Sequence, residues 1–289
     1  MYTINNGTLV VSIASMGAEL QSIVNTKTGL EYLWDANPKF WPKKSPALFP
    51  VVGGLQDNSY QFDGTTYHLN RHGFARETEF EVGPQTDSSI TFVLASSENT
   101  LKLYPFHFKF SVTYALLENT LQVTYLVENT GSSTMYFSVG AHPAFNVPLV
   151  EGGDFAQYYL AFNEVENAGV YPIASDGLIE TLPVPYLKNT NKLPLTKEMF
   201  YKDALIFKDL KSTSISILSH QHDHGLTVSY PGFPYMGIWA AKDADFVCIE
   251  PWYGLGDTKA TTGILQEKEG IMALAANTSF DGTWTVTLF

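Results

Sequence analysis

The stretch LNRHGFARE places the chain's only two arginines, Arg71 and Arg76, on either side of His72. Every other strong cation is a lysine, so the planar groups able to grip a ligand at two points are gathered in one short segment. Solvated surface arginines are the plain alternative. Three further stretches, GAHPAFN, FYKDALIF and CIEPWYG, set chemistry-bearing side chains among Gly, Pro and aromatic residues. His142 follows Gly140-Ala141 and precedes Pro143, which predicts a strand end with the imidazole facing a cavity. A free imidazole titrates near about 6.5, so it can give or take a proton at neutral pH. Glu250 ends an apolar strand and is followed by Pro251 and Trp252, which sets a carboxylate against an aromatic wall where its pKa would rise into the range of a useful base. Asp203 either caps or salt-bridges a short helix or belongs with this set. His72 and His142, each taken alone, also fit the commoner role of a hydrogen-bonded core histidine.

Other constellations carry less. SHQHDHG places His220, His222 and His224 at alternate positions, which in a strand share one face as a three-histidine metal site requires; in an exposed turn they are merely solvated. The glycines of VVGGLQD lack the strand-to-helix context of a dinucleotide loop. Cys248 is the only cysteine, which excludes an internal disulfide and a four-thiolate zinc site. A formal charge of -12 argues against a nucleic-acid partner. Apolar runs are short and no basic start precedes an apolar stretch, so the expectation is a cytoplasmic protein with no membrane partner, a monomer or homodimer.

The elements that must hold these groups read as strands. Phe106, Phe108, Phe110, Val112 and Tyr114 alternate with polar residues, and after Glu118-Asn119-Thr120 the period resumes with Leu121, Val123, Tyr125 and Val127, predicting an antiparallel hairpin. SYQFDGTTYHL turns at Asp63-Gly64, LVVSIASMGAEL opens the chain, and FDGTWTVTLF closes it with Trp284, Val286 and Leu288 on one face. One short helix is expected from Thr196, its hydroxyl as N-cap, across KEMFYKDAL. Without strand–helix alternation, linker or repeat, the chain reads as a single all-β domain over residues 1–289.

In order, HGFAR, GAHPAFN, an aromatic-flanked Asp and IEPW resemble the aldose 1-epimerase (galactose mutarotase-like) superfamily, in particular its LacX-like branch, and ALFPVVGGLQDNSYQFDGTTYHLNRHGFAR and YPGFPYMGIW extend the likeness over nearly the whole chain. The resemblance implies an all-β galactose mutarotase-like β-supersandwich of antiparallel sheets with few short helices. It also implies interconversion of the α and β anomers of a sugar in an open cleft, without cofactor or metal. It makes Glu250 the general base, His142 the general acid, His72 a second histidine near the ring oxygen and Asp203 a binder of sugar hydroxyls. Trp252 would stack on the pyranose, and Arg71 or Arg76 would donate to its hydroxyls. Acid and base are expected to face each other across one pyranose. Similar chains often carry an arginine after VVG, where Gly54 stands here, and Arg71 is a candidate to supply that charge. A hexose 6-phosphate mutarotase, a non-catalytic sugar binder and a glycosidase using Glu250 with Asp203 are the competing readings.

Overall fold

A computed structural model describes all residues from 1 to 289. The largest sheet has nine antiparallel strands in the spatial order Val184–Pro194, Tyr158–Val170, Ser214–Ser219, Leu226–Ser229, Ser279–Leu288, Thr120–Asn129, Phe108–Leu117, Ser89–Ala95 and Glu81–Gln85. The expected hairpin is at its heart: Leu117 pairs with Thr120 around a Glu118-Asn119 turn, and Phe108, Phe110, Val112 and Tyr114 are all buried. Burying the apolar half of each strand is what fixes this register, since a slip of one residue would turn every such side chain to solvent. The Asp63-Gly64 turn is also present, both residues having positive φ (47° and 74°), as a tight two-residue hairpin demands.

A second sheet of five strands holds Leu205–Phe207, Tyr235–Trp239, Phe246–Tyr253 and, along the other edge of Phe246–Tyr253, the short segments Val139–Gly140 and Ala144–Asn146. One buried apolar cluster draws on both sheets and runs from Ile4 in the first strand to Leu288 in the last.

The expected helix at Thr196 is instead a single 3-10 turn, Lys197–Phe200, and the Thr196 hydroxyl makes no capping bond. Asp203, inside the expected segment, takes a positive φ of 112° that no α-helix admits, and Leu205 already belongs to the strand Leu205–Phe207, so the turn cannot propagate. The α-helix lies elsewhere, at Glu98–Leu103, where Ser97 and Thr100 cap reciprocally. Threonine in the place of the usual Glu or Gln hid that capping box in the sequence. No helix is long and apolar enough to cross a membrane.

Candidate active site

The strand Phe246–Tyr253 is the spine of the site. Its two-residue period puts Cys248, Glu250 and Trp252 on one face and Val247, Ile249 and Pro251 on the other. The strand does not end at Glu250 as expected but continues to Tyr253. Proline is tolerated there because the Pro251 carbonyl accepts from the Ala141 N–H (3.0 Å), so the missing N–H faces the break between Val139–Gly140 and Ala144–Asn146, where no ladder bond is wanted. His142 sits in that same break, at a strand end as read from the sequence.

The break delivers His142 Nε2 to 3.3 Å from Glu250 Oε2. The expectation that the two face each other across a pyranose is therefore wrong. They touch, and both form the floor of one cavity. The chemistry accounts for the adjacency: the hydroxyl oxygen and the ring oxygen of a cyclic aldose are bonded to the same anomeric carbon, so neighbouring groups can serve both from one side.

His72 adopts a left-handed backbone (φ 69°) held by a reciprocal pair: its N–H donates to the Gly53 carbonyl (2.8 Å), and its Nδ1 accepts from the Gly53 N–H (3.1 Å). Nδ1 is thereby the acceptor, which leaves the ring proton on Nε2 of the neutral imidazole. Asp203 also has positive φ (112°), and its Oδ1 accepts from the Ala204 N–H (2.8 Å) rather than from a helix end. Two non-glycine residues in this sparsely populated region within one site is the kind of strain that binding sites retain.

Arg71 is exposed, and its guanidinium lies over Gly54; a Cβ added at Gly54 would be 3.7 Å from Arg71 Nη2. The charge from position 71 thus stands in ordinary contact distance of where a side chain at position 54 would begin. Arg76 is half-buried, pairs with Glu77 at 3.5 Å, and its Nε makes no hydrogen bond. Trp252 is packed flat over glycine: a Cβ at Gly237 would stand 2.4 Å from its ring, and one at Gly140 2.5 Å. Its indole N–H donates to the Ala141 carbonyl (3.2 Å), so it braces the segment carrying His142 as well as walling the site. Gly237→Ala is accordingly expected to lower stability by about 1–3 kcal/mol in urea unfolding, the usual cost of overpacking, and to impair the site.

Arg71, His72, Arg76, His142, Asp203, Glu250 and Trp252 all line a single cavity of about 370 Å³, at the low end of the roughly 300–1,000 Å³ typical of small-molecule sites. The sequence reading missed the two other tryptophans of the lining. Trp41 stacks on His142 (4.9 Å between centroids, 24°) and Trp239 meets it edge-on (5.7 Å, 83°). Both are half-buried, whereas Trp252 is only 5% exposed, so the aromatic surface open to a ligand comes mainly from these two. A tryptophan between Phe40 and Pro42, outside any strand pattern, was the available signal for Trp41.

Burial governs the titration of the floor. The Glu250 carboxyl is raised well above its usual range by burial and then by the Asp203 charge, with Trp252 and Arg71 opposing. His142 is lowered to about 3, chiefly by burial, with Arg76 and Arg71 adding to the effect against its own backbone. His72 is lowered by burial, then by His142 and both arginines.

Beneath the rim, Lys268 Nζ donates to Asp257 Oδ1 (2.6 Å) with both side chains buried. Asp257 also accepts from the Gln56 N–H (2.9 Å) and donates its own N–H to the Gly54 carbonyl (2.8 Å), so the pair anchors the Gly53-Gly54 rim that holds His72. No local pattern in the sequence marks this pair. The His220, His222 and His224 triplet does not share one strand face. The strand ends at Ser219, the alternation that would align the rings is lost, His220 stacks on Tyr159, and His222 bonds the Tyr158 hydroxyl (2.8 Å).

An antiparallel β-supersandwich bearing this cavity on its smaller sheet defines the class, and the chain belongs to the aldose 1-epimerase family, whose sequence pattern matches residues 1–263. Among curated relatives it is similar to protein LacX (chromosomal) of Lactococcus lactis subsp. lactis, 34% identical over 278 residues, covering 92% of this chain and 91% of that one. Among solved structures it is similar to a galactose mutarotase related enzyme from Lactobacillus acidophilus (TM-score 0.95, 35% identity, 100% of this chain and 97% of that one). A galactose mutarotase-like protein from Lactobacillus casei ATCC 334 is similarly close (TM-score 0.93, 33% identity, 100% of each chain).

Proposed function

We propose that the protein, acting as a single domain over residues 1–289, is a mutarotase that interconverts the α and β anomers of a hexose or related aldose by opening and closing its ring. The observation that carries this reading is the 3.3 Å contact of an imidazole and a carboxyl on the floor of the cavity.

In ring opening, Glu250 as carboxylate takes the proton of the anomeric hydroxyl. The C–O bond to the ring oxygen breaks, its electron pair goes to that oxygen, and His142 as imidazolium supplies the proton there. The result is an open-chain aldehyde with Glu250 protonated and His142 neutral. Rotation of the aldehyde and reversal of both transfers give the other anomer. Burial favours this neutral pair over the charged one. Both arrangements hold one proton between two touching groups, so the pair passes from one to the other without change in net charge. His72 Nε2–H donates near the ring oxygen, Asp203 accepts from sugar hydroxyls, Arg71 and Arg76 donate to them, and Trp41, Trp239 and Trp252 cover the apolar face.

Polarimetry on freshly dissolved pure anomers of a panel of aldoses tests the reading: at least one sugar should equilibrate faster with protein, and acceleration of none by folded protein would refute it. His142→Asn should slow the accelerated sugar by about 10²–10⁴-fold, the usual worth of one positioned proton transfer; an unchanged rate would move the acid to His72. The exposed guanidinium of Arg71 at the cavity favours one second reading, a hexose 6-phosphate as substrate, so sugar phosphates belong in the same panel.

A further inference from the structure

Mutarotation uses the imidazole and the carboxyl of the cavity floor but not a third group buried in the core beside them. His142, Cys248 and Glu250 each place a ligand atom within 4.8 Å of the other two. Cys248 and Glu250 are two apart on one strand and share one of its faces, Glu250 at the cavity and Cys248 in the core next to it, and His142 reaches them from the break opposite. All three are at least nine-tenths buried. A tetrahedral zinc ion with bonds of about 2.0–2.1 Å to nitrogen and oxygen holds those two atoms about 3.3 Å apart. The Nε2–Oε2 distance already built is 3.3 Å. A thiolate bond of about 2.3 Å then brings in Cys248 Sγ, which lies within 4.8 Å of both atoms.

We propose that His142, Cys248 and Glu250 form a binding site for a thiophilic divalent cation, with the fourth coordination position open to the sugar cavity, so that metal and sugar exclude one another. On binding, the thiol and the carboxyl each release a proton to solvent, and the two negative charges formed offset the two positive charges of the ion. Imidazole and thiolate select zinc-like ions over magnesium and calcium, which take oxygen ligands. Nothing in the sugar chemistry requires the sulfur, so its removal separates the two properties.

The test is a titration of the full chain with cobalt(II), followed by absorption and by calorimetry with zinc and magnesium. One equivalent of cobalt should bind with a thiolate-to-metal charge-transfer band, zinc should displace it, and magnesium should not. Cys248→Ala should abolish the band and weaken zinc binding by at least about tenfold, while keeping the far-ultraviolet spectrum and the sugar reaction of the parent. Cobalt binding without a thiolate band, or zinc bound equally well by Cys248→Ala, would overturn the proposal. The competition with sugar rests on the mutarotase reading and is tested apart, as loss of zinc inhibition of anomer equilibration in Cys248→Ala. Metal binding with a thiolate band in a protein that accelerates no sugar would sink that reading and spare the site.

Discussion

Glu250→Gln should lower the rate of anomer equilibration by about 10²–10⁴-fold while leaving sugar affinity nearly unchanged and raising the melting temperature at neutral pH. The amide keeps the shape of the side chain on the cavity floor but cannot accept the hydroxyl proton. The stability effect follows from the direction of the pKa. Glu250 is almost wholly buried, and burial with the Asp203 charge pushes its carboxyl up. Between the unfolded value near about 4.3 and the raised folded value, the native state holds a proton that the unfolded chain gives up, so stability falls as pH rises through that window. Glutamine removes this loss, and the gap in melting temperature between variant and parent should widen from pH 5 to pH 8. His142 works in the opposite direction. With a folded pKa of about 3 against about 6.5 unfolded, it withdraws stability as pH falls through that interval. Thermal melts across pH read both effects, and a Gln variant that is less stable at pH 8 than the parent would contradict the account of the floor.

The second large effect is expected away from the chemistry. Asp257→Asn leaves the Lys268 ammonium buried without its counter-charge, and breaking a buried pair from one side costs about 3–5 kcal/mol. Asparagine can still accept from the Gln56 N–H but cannot balance the charge. The double variant Asp257→Asn with Lys268→Met should recover much of the loss, because the isolated charge rather than the missing attraction is the main penalty. Urea denaturation measures both, and a double variant no more stable than the single one would show that the pair acts by other means. Because Asp257 also holds the Gly54 carbonyl, the single variant should loosen the Gly53–His72 pair and raise KM for the sugar.

The strands were legible because their signal is local: Phe108 to Tyr114 and Leu121 to Val127 alternate, and alternation is what one buried face of a sheet requires. The site was legible as a set of residues, since His72, His142, Asp203, Glu250 and both arginines stood out by type against their surroundings, and all line the cavity. Their mutual geometry was not legible. The contact of His142 with Glu250 depends on strand segments more than 100 positions apart and on a ladder break beside Pro251, neither of which leaves a local mark. Cys248, Trp41 and the Asp257–Lys268 pair were hidden for the same reason. Each reads alone as an ordinary core or surface residue and acquires meaning only from its neighbours in space. The helix expected at Thr196 failed differently: the hydroxyl makes no cap, and Asp203 takes a positive φ within the segment because it is positioned by the site.

Two-dimensional exchange NMR on a sugar that the protein accepts, at anomeric equilibrium, reads the passage of each C1 proton between the α and β signals with no coupling enzyme or optical assumption. Wild-type protein should produce α–β cross-peaks at catalytic concentration, and Glu250→Gln and His142→Asn should each remove nearly all of their intensity while saturation-transfer contacts to the sugar persist. Cross-peaks of wild-type strength from either variant would contradict the claim that these two side chains open the ring.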